Sequence, residues 1–183
     1  MGIRVFTFIG GAEGLWRVTR NSVIAGEPLN DIPYLDIREG DLREGMGSQW
    51  RLRGVVGHLR YTCRDEKDQL ASRQPPLGRP ESTRAALIPI RKSAAWWELP
   101  QDERRAILEE QSEHIRIGLK FLPAVARRLH HSRDLGEPFD FLTWFEYSPG
   151  DESAFDDLVR LLRKTEEWKY VEREIDIRLT RVG

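Results

Sequence analysis

The segment Phe139-Asp140-Phe141-Leu142-Thr143-Trp144-Phe145-Glu146-Tyr147 (residues 139–147) is the clearest strand pattern in the chain. It is rich in aromatic residues, which favour a pleated, half-buried surface. Positions 141, 143, 145 and 147 fall on one face, whereas Leu142 and Trp144 fall on the other. Pro149 and Gly150 follow directly and are typical of a turn. We therefore predict a strand that ends at this Pro-Gly pair.

The sequence around this strand predicts two helices and three further strands. Pro89 places the first of these strands at an edge or bulge, because proline has no N–H for a ladder. Pro100 suits the first position of a helix, and Pro123 ends or kinks it. The predicted elements are a strand at 84–92, a helix from 100 to about 119–122, a strand at 124–131, the strand at 139–147, a helix from 151 and a strand at 174–181.

The order β-α-β-β-α-β is that of the ferredoxin-like unit, in which two helices cover one face of a four-stranded antiparallel sheet. The other face is left for a partner sheet, a second subunit or a flat ligand. The first half resembles a reduced copy of this unit. It has predicted strands at 3–9, 16–18 and 49–62, irregular chain at 26–47, a helix at 65–74 and a proline-rich loop at 75–80.

We therefore predict an α+β protein of the dimeric ferredoxin-like type, with two βαββαβ-type units in one chain. The N-terminal unit, residues 1–83, is truncated. The C-terminal unit, residues 84–183, is complete. Function is expected at the open face of the sheet.

Composition excludes several classes of protein. The chain has 183 residues with a formal net charge of −1, which gives no basic field for nucleic acid. Its single cysteine, Cys63, rules out an intramolecular disulfide framework and a cysteine-based metal site. No apolar run approaches the roughly 20 residues of a membrane helix, and residues 1–11 do not have the pattern of a secretory leader. We expect a cytoplasmic protein that binds neither membrane nor nucleic acid.

His114 is the first candidate for chemistry. It lies off the apolar stripe of the helix predicted from residue 100, and its own face contains Ile107, Gly118 and Phe121. A planar hydrophobic ligand could lie against that strip. From spacing alone, the pattern favours a histidine at the edge of the core that is hydrogen-bonded to the backbone.

Two adjacent pairs of residues are also open to more than one interpretation. Arg127 and Arg128 are a solvated basic pair or, because neighbours on a strand point to opposite faces, a pair of which at most one enters a pocket. Trp96 and Trp97 fill the core or form a wall of a binding site.

The stretch from Leu87 to Arg178 resembles the chlorite dismutase family of haem b proteins, and in particular its short, dimeric lineage. The joint order and spacing of several short segments carry the resemblance. These are residues 88–97 (Ile-Pro-Ile-Arg-Lys-Ser-Ala-Ala-Trp-Trp), Glu103-Arg104-Arg105, His114, Arg127, residues 139–147 and residues 165–174 (Thr-Glu-Glu-Trp-Lys-Tyr-Val-Glu-Arg-Glu).

The resemblance implies roles for particular residues. His114 would be the axial ligand of haem iron, and Glu167 would accept a hydrogen bond from its other ring nitrogen. Arg127 would be the mobile arginine on the opposite side of the haem, and Gln74 would hydrogen-bond it in one of its orientations. The remaining residues implied by the resemblance are Lys92 and Trp97 near the haem edge, Ile107, Thr143 and Phe145 on the pocket wall, and Tyr61 as a weaker match near a propionate.

The resemblance also implies an activity, the decomposition of chlorite to chloride and dioxygen by a homodimer with one haem b per chain. Chlorite is a small anion, so one fixed cation in an apolar pocket suits its binding. Two alternatives remain. The first is another haem reaction, coproheme decarboxylation or peroxidase-like chemistry; the absence of an evident histidine opposite His114 argues against the latter. The second is a ferredoxin-like binding module without haem, in which His114 is merely packed.

Overall fold

The computed structural model describes residues 4–42, 47–56 and 61–183, and in these ranges eight antiparallel strands form one closed barrel. The order around the barrel is β1-β3-β2-β8-β5-β7-β6-β4. The strands are β1 (Arg4–Gly11), β2 (Trp16–Ala25), β3 (Tyr34–Glu39), β4 (Ser48–Val56), β5 (Arg84–Lys92), β6 (Ala126–His131), β7 (Phe141–Tyr147) and β8 (Val171–Arg181).

The closed barrel corrects the prediction of a sheet with one open face. Within the described residues, the first four strands lie in the order β4-β1-β3-β2 and the last four in the equivalent order β8-β5-β7-β6. The two sets join along β2–β8 and, through the single pair Val55–His131, along β4–β6. The α+β class is confirmed. The division of the chain into domains at residue 83 stays a prediction.

The structure also explains why no crossover helix is needed between β1 and β2. Gly11 at the end of β1 and Arg17 near the start of β2 both pair with Tyr34 of β3. β2 therefore begins where β1 stops, and four residues are enough to connect the two strands. The prediction that residues 26–47 are irregular was wrong for β3. Its alternating apolar residues, Leu35 and Ile37, are hidden in a stretch of glycine and proline.

Five α-helices lie in the described part of the chain, and all of them begin after β4. They are α1 (Arg64–Arg73), α2 (Ala94–Glu98), α3 (Gln101–Arg105), α4 (His114–Lys120) and α5 (Glu152–Leu162). A π-helix (Ala106–Gln111) follows α3, and short 3-10 helices cover Arg133–Leu135, Pro149–Asp151 and Glu166–Tyr170. No described helix has both the length and the apolar character needed to cross a bilayer.

The continuous helix predicted from residue 100 to about residue 122 was wrong. The chain leaves the helix after the π-helix, Glu113 takes a left-handed backbone conformation with φ +51°, and α4 begins at His114. The carboxylate of Glu109 accepts the backbone N–H groups of Ile115 and Arg116 at 2.7 and 3.3 Å. It thereby satisfies donors that the first turn of a new helix leaves unpaired. This contact stabilises the break and places His114 at the start of α4.

Pro89 does not lie at a sheet edge, because β5 pairs with β7 on one side and β8 on the other. Its missing N–H falls where the β5–β8 ladder is interrupted: Leu87 pairs with Ile177 and Ile90 with Glu174, but the two positions between them are unpaired with β8. A register shift, which marks a bulge, lies further along β5 between Arg91 and Lys92.

Two apolar clusters hold the fold together, one on each side of the barrel wall. The inner cluster includes Phe8, Leu35 and Trp144. The outer cluster joins Phe145 of β7 to Phe155 of α5, and it belongs to the layer between the strands and the helices. Because β7 contributes to both clusters, its two faces are both buried. The candidate site lies in the outer layer.

Candidate functional site

A cavity of about 500 Å³ lies between the outer face of the barrel and helices α1, α4 and α5. This volume is within the usual range for sites that bind cofactors or small molecules. Most of the exposed wall is apolar. Eight of the residues that the resemblance implies contribute to the wall: Tyr61, Gln74, Lys92, His114, Arg127, Thr143, Phe145 and Glu167.

His114, Glu167 and Lys92 form a hydrogen-bonded chain at one wall of the cavity. The Nδ1 atom of His114 lies 2.5 Å from one carboxylate oxygen of Glu167, and the ammonium of Lys92 lies 2.8 Å from the other. Three elements supply these residues: the start of α4, the 3-10 helix at Glu166–Tyr170 and the end of β5. The Glu167 backbone N–H donates to the Ser112 hydroxyl at 2.8 Å, which ties this 3-10 helix to the break before His114.

The charge of Glu167 is strongly stabilised in this arrangement. Burial alone would raise the pKa of its carboxyl, but the charges of His114 and Lys92 and the hydrogen bonds from both residues outweigh burial and lower that pKa to about 2. An ionised carboxylate only accepts hydrogen bonds, so the Nδ1 atom of His114 carries the proton. In the neutral imidazole the lone pair is then on Nε2, which is the atom that a metal would bind.

Arg127 brings a positive charge to the cavity. No described residue accepts a hydrogen bond from its guanidinium or forms an ion pair with it. Burial lowers the pKa of Arg127 to about 10, so it remains charged at neutral pH. The guanidinium lies against Gly118 of α4, in the space that a β-carbon there would occupy. Arg128 points the other way, into the barrel, where its guanidinium lies 4.0 Å from the centre of the Phe6 ring.

Helix α1 covers one side of the cavity and is held by polar contacts, since none of its residues is buried. At its start, Glu66 makes a two-pronged ion pair with Arg105 at 2.6 and 2.7 Å. After its end, the Gln74 side-chain amide donates to the main-chain carbonyl of Arg127 at 2.7 Å. Gln74 thus contacts the Arg127 backbone, where the sequence led us to expect a contact with the guanidinium.

The structure places Trp97 and Ile107 away from the cavity wall. The Trp97 indole donates to Asp140 at 3.1 Å and stacks on Phe141. Its neighbour Trp96 lines the cavity instead, because consecutive residues of the short helix α2 point in different directions. Ile107 is buried, but it lies in the π-helix, whose altered rotation brings Leu108 to the wall in its place.

Two residues that the sequence did not assign to the site, Trp168 and Asp140, belong to it or support it, and Trp96 forms part of the cavity wall. Trp168 stacks almost parallel to the His114 imidazole, with an angle of 20° and 6.3 Å between ring centres. Trp96 is almost fully buried, and its Nε1 donor has no hydrogen-bond partner in the described structure. Asp140 is buried behind Lys92. Tyr61, a weak candidate, does line the cavity, and its hydroxyl accepts a hydrogen bond from Arg104 at 2.9 Å.

These residues fit a haem. The described part of the chain contains no cluster of three or more metal-ligating side chains. A single histidine backed by a carboxylate is instead a pattern that suits an iron already held by a macrocycle. The unpaired Nε1 of Trp96 can donate to a carboxylate of such a group. Fold and site together define an α+β barrel protein with a mostly apolar cavity that holds a carboxylate-backed histidine and a separate arginine.

Comparison with known proteins identifies the family. A family model described as chlorite dismutase matches residues 27–182. A curated chlorite dismutase from Ideonella dechloratans is 41% identical over 86 residues, which are 47% of this chain and 28% of that protein. The match thus spans little more than a quarter of the curated relative. The chain belongs to the chlorite dismutase family.

Solved structures support the same conclusion for the fold. The crystal structure of a dimeric chlorite dismutase from Nitrobacter winogradskyi is 56% identical, with a TM-score of 0.90, and the match covers 97% of this chain and 99% of that one. A mutant chlorite dismutase from Candidatus Nitrospira defluvii in complex with cyanide is 23% identical with a TM-score of 0.71, covering 98% and 91%. At that identity the second likeness speaks for the fold alone.

Proposed function

We propose that this chain is a haem b enzyme that converts chlorite into chloride and dioxygen. The observation that carries the proposal is the pairing of two groups in one cavity. His114 lies on the cavity wall with its Nδ1 atom held by the Glu167 carboxylate, and Arg127 presents a cation that no described carboxylate neutralises. A metal-bound cofactor needs the first group, and a small anionic substrate needs the second.

His114 would be the axial ligand of the iron, and Trp96 would donate a hydrogen bond to a propionate. Bound haem would supply a redox-active iron that can take up an oxygen atom from chlorite and return it. Glu167 keeps the proton on Nδ1 of His114, which fixes the tautomer and makes the imidazole a stronger donor. Lys92 holds the other oxygen of the same carboxylate and keeps the carboxylate in place.

Arg127 would bind and orient the chlorite anion. An unpaired cation in a mostly apolar cavity attracts an anion more strongly than it would in water. Because the pKa of Arg127 is about 10, its side chain stays protonated at neutral pH and does not take a proton from the reaction. It can therefore retain anionic hypochlorite until the oxygen–oxygen bond forms. One chlorite ion yields one chloride ion and one dioxygen molecule, so the reaction needs no external proton or reductant.

The quaternary structure and the domain organisation are also part of the proposal. The chain matches 99% of a relative that is described as dimeric, which supports a homodimer here. The repeated strand order in the two halves of the barrel supports two ferredoxin-like units, with both crossover helices missing from the first. The cytoplasmic location expected from the sequence stays a prediction.

An oxygen electrode tests the activity directly. Protein loaded with haem is mixed with chlorite near neutral pH, and we expect one dioxygen released per chlorite consumed. His114→Ala is the control for the cofactor, and it should lose the Soret band of bound haem. His131→Ala, which changes the other histidine on the described cavity wall, should retain it.

Three results would reject parts of the proposal. Haem binding without dioxygen release would move the function to coproheme decarboxylation or another haem reaction. Failure of the wild-type protein to bind added haem would favour a binding module without cofactor. Haem binding by His114→Ala with an unchanged ferric spectrum would place the ligand elsewhere.

A further inference from the structure

We propose that Asp140 is a positioning residue for the His114–Glu167 pair and that it acts through the main chain of Lys92. This inference rests on the proposed haem site. Of the residues that the family resemblance implies, the Asp140 carboxylate contacts only Lys92 and Trp97. Asp140 directly precedes β7, and its side chain is only 5% exposed.

Three donors converge on the carboxylate of Asp140. Its Oδ2 atom accepts the backbone N–H of Lys92 at 2.7 Å and the indole N–H of Trp97 at 3.1 Å. Its Oδ1 atom accepts the guanidinium of Arg133 at 3.2 Å. The Asp140 backbone is fixed as well, since its N–H donates to the carbonyl of Ile90 at 2.8 Å. The carboxylate therefore has one defined position beside the end of β5.

Lys92 depends on this carboxylate because the regular ladder has already ended. Ile90 and Phe141 are the last pair between β5 and β7, and the register with β8 shifts between Arg91 and Lys92. On the β7 side, the Lys92 N–H meets no backbone carbonyl, and the Asp140 carboxylate takes the place of one. A buried N–H group without a partner is unfavourable, so the contact fixes the backbone of the bulge.

The bulge in turn directs the Lys92 side chain to Glu167. The ammonium is 3% exposed and lies 2.8 Å from one oxygen of the Glu167 carboxylate, whose other oxygen contacts His114. A buried ammonium and a buried carboxylate are stable only when their geometry is good. If Lys92 shifts, Glu167 must follow it, and the hydrogen bond to His114 lengthens.

Asp140→Ala tests this chain of contacts through a property of the haem. A weaker hydrogen bond from His114 to Glu167 makes the imidazole a poorer electron donor to the iron. This favours the ferrous over the ferric state. We expect a tenfold shift of that equilibrium, a rise of the reduction potential by about 59 mV for a one-electron couple. Asp140→Asn keeps an acceptor oxygen for Lys92 and should restore most of the wild-type potential.

Two further variants test whether the effect passes through Lys92. Arg133→Gln removes the ion pair to Asp140 but leaves Lys92 untouched, so the potential should stay at the wild-type value. In a Lys92→Met background, Asp140→Ala should add no further shift, because residues that act through one another are not additive. A wild-type potential in Asp140→Ala, an equal shift in Arg133→Gln, or full additivity with Lys92→Met would each overturn the proposal.

A measurement without haem keeps this inference separate from the proposed function. In the apoprotein, hydrogen exchange of the Lys92 amide should accelerate at least tenfold in Asp140→Ala and remain slow in Arg133→Gln. An amide that stays protected in Asp140→Ala would overturn the positioning role even if haem binds. Failure of the wild-type protein to bind haem would leave this result standing and reject the proposed function alone.

Discussion

The guanidinium of Arg127 packs against Gly118 in the space where any other residue would place a β-carbon. Gly118 lies one helical turn after His114 on the same face of α4. The glycine therefore brings together the cation from β6 and the helix that carries the proposed iron ligand.

Gly118→Ala should impair chlorite decomposition while leaving the protein folded. Alanine favours the helix by about 0.5–1 kcal/mol over glycine, so stability should not fall through the backbone. The new β-carbon overlaps Nη1 of Arg127 and must displace the guanidinium. We expect kcat/KM for chlorite to fall at least tenfold with haem still bound. Gly150→Ala is the control, because its β-carbon would meet nothing closer than 3.6 Å. Equal activity in both variants would show that the guanidinium position is unimportant.

Arg127→Gln should stabilise the apoprotein. A partly buried charge without a described partner is unfavourable, and replacing it by a neutral amide should raise the free energy of unfolding by about 1 kcal/mol at pH 7. The difference should shrink as the pH rises above 10, because the folded wild-type protein then releases the proton while the unfolded chain keeps it. Denaturant titrations of both proteins measure this.

The neighbouring arginine provides the control for that experiment. The Arg128 Nε–H donates to His130 at 3.2 Å, and its guanidinium lies on the Phe6 ring. Arg128→Gln should therefore destabilise the protein, the opposite sign to Arg127→Gln. A loss of stability in both variants would mean that the Arg127 charge is compensated.

His130→Gln should remove part of the acid sensitivity of the fold. Burial lowers the pKa of His130 to about 3, and its Nδ1–H donates to the carbonyl of Leu142 at 2.9 Å. Between pH 6.5 and pH 3 the unfolded chain binds a proton there that the folded protein does not. Stability is therefore lost as the pH falls through this window, by about 1.4 kcal/mol per pH unit for one proton.

The test compares how the free energy of unfolding changes with pH in the wild-type protein and in His130→Gln. From about pH 6.5 to about pH 5, the free energy of unfolding of the wild-type protein should fall more steeply than that of His130→Gln, by one proton. Identical slopes would show that His130 is protonated in the folded state.

Glu66→Gln should speed the release of haem. The Glu66–Arg105 ion pair holds the start of α1, a helix without buried residues, over the cavity. Hydrogen bonding from Arg105 lowers the pKa of Glu66, so the pair is intact at neutral pH. We expect haem to transfer to excess apomyoglobin several-fold faster from the variant. Asp157→Asn, which breaks an exposed ion pair with Arg160 far from α1, should transfer haem at the wild-type rate. Equal rates for the two variants would mean that α1 does not limit release.

The local elements of the second half could be predicted because each is encoded in adjacent residues. An apolar run predicted β5, alternation predicted β7 and β8, and apolar spacing predicted α5. The closure of the barrel could not be predicted, because the pairing of β2 with β8 joins residues far apart in the sequence. The break before His114 was missed for a related reason: it depends on the contact between Glu109 and the first amides of α4.

The candidate site, too, could be predicted only in part. His114, Glu167 and Arg127 were located through their resemblance to a family, and the structure brings them to one cavity. The sequence led us to assign Trp97 to the site, whereas the structure places Trp96 on the cavity wall. Both residues stand in one short helix, and only the packing of α2 decides which of them turns inward.

The position of β8 between β2 and β5 has a consequence for how the protein is made. On the ribosome, seven strands emerge before residues 171–181, and without the eighth the edges of β2 and β5 have no neighbour. Unpaired edges of this kind are sites of intermolecular pairing. The nascent barrel therefore stays open and prone to association until β8 is synthesised and closes it.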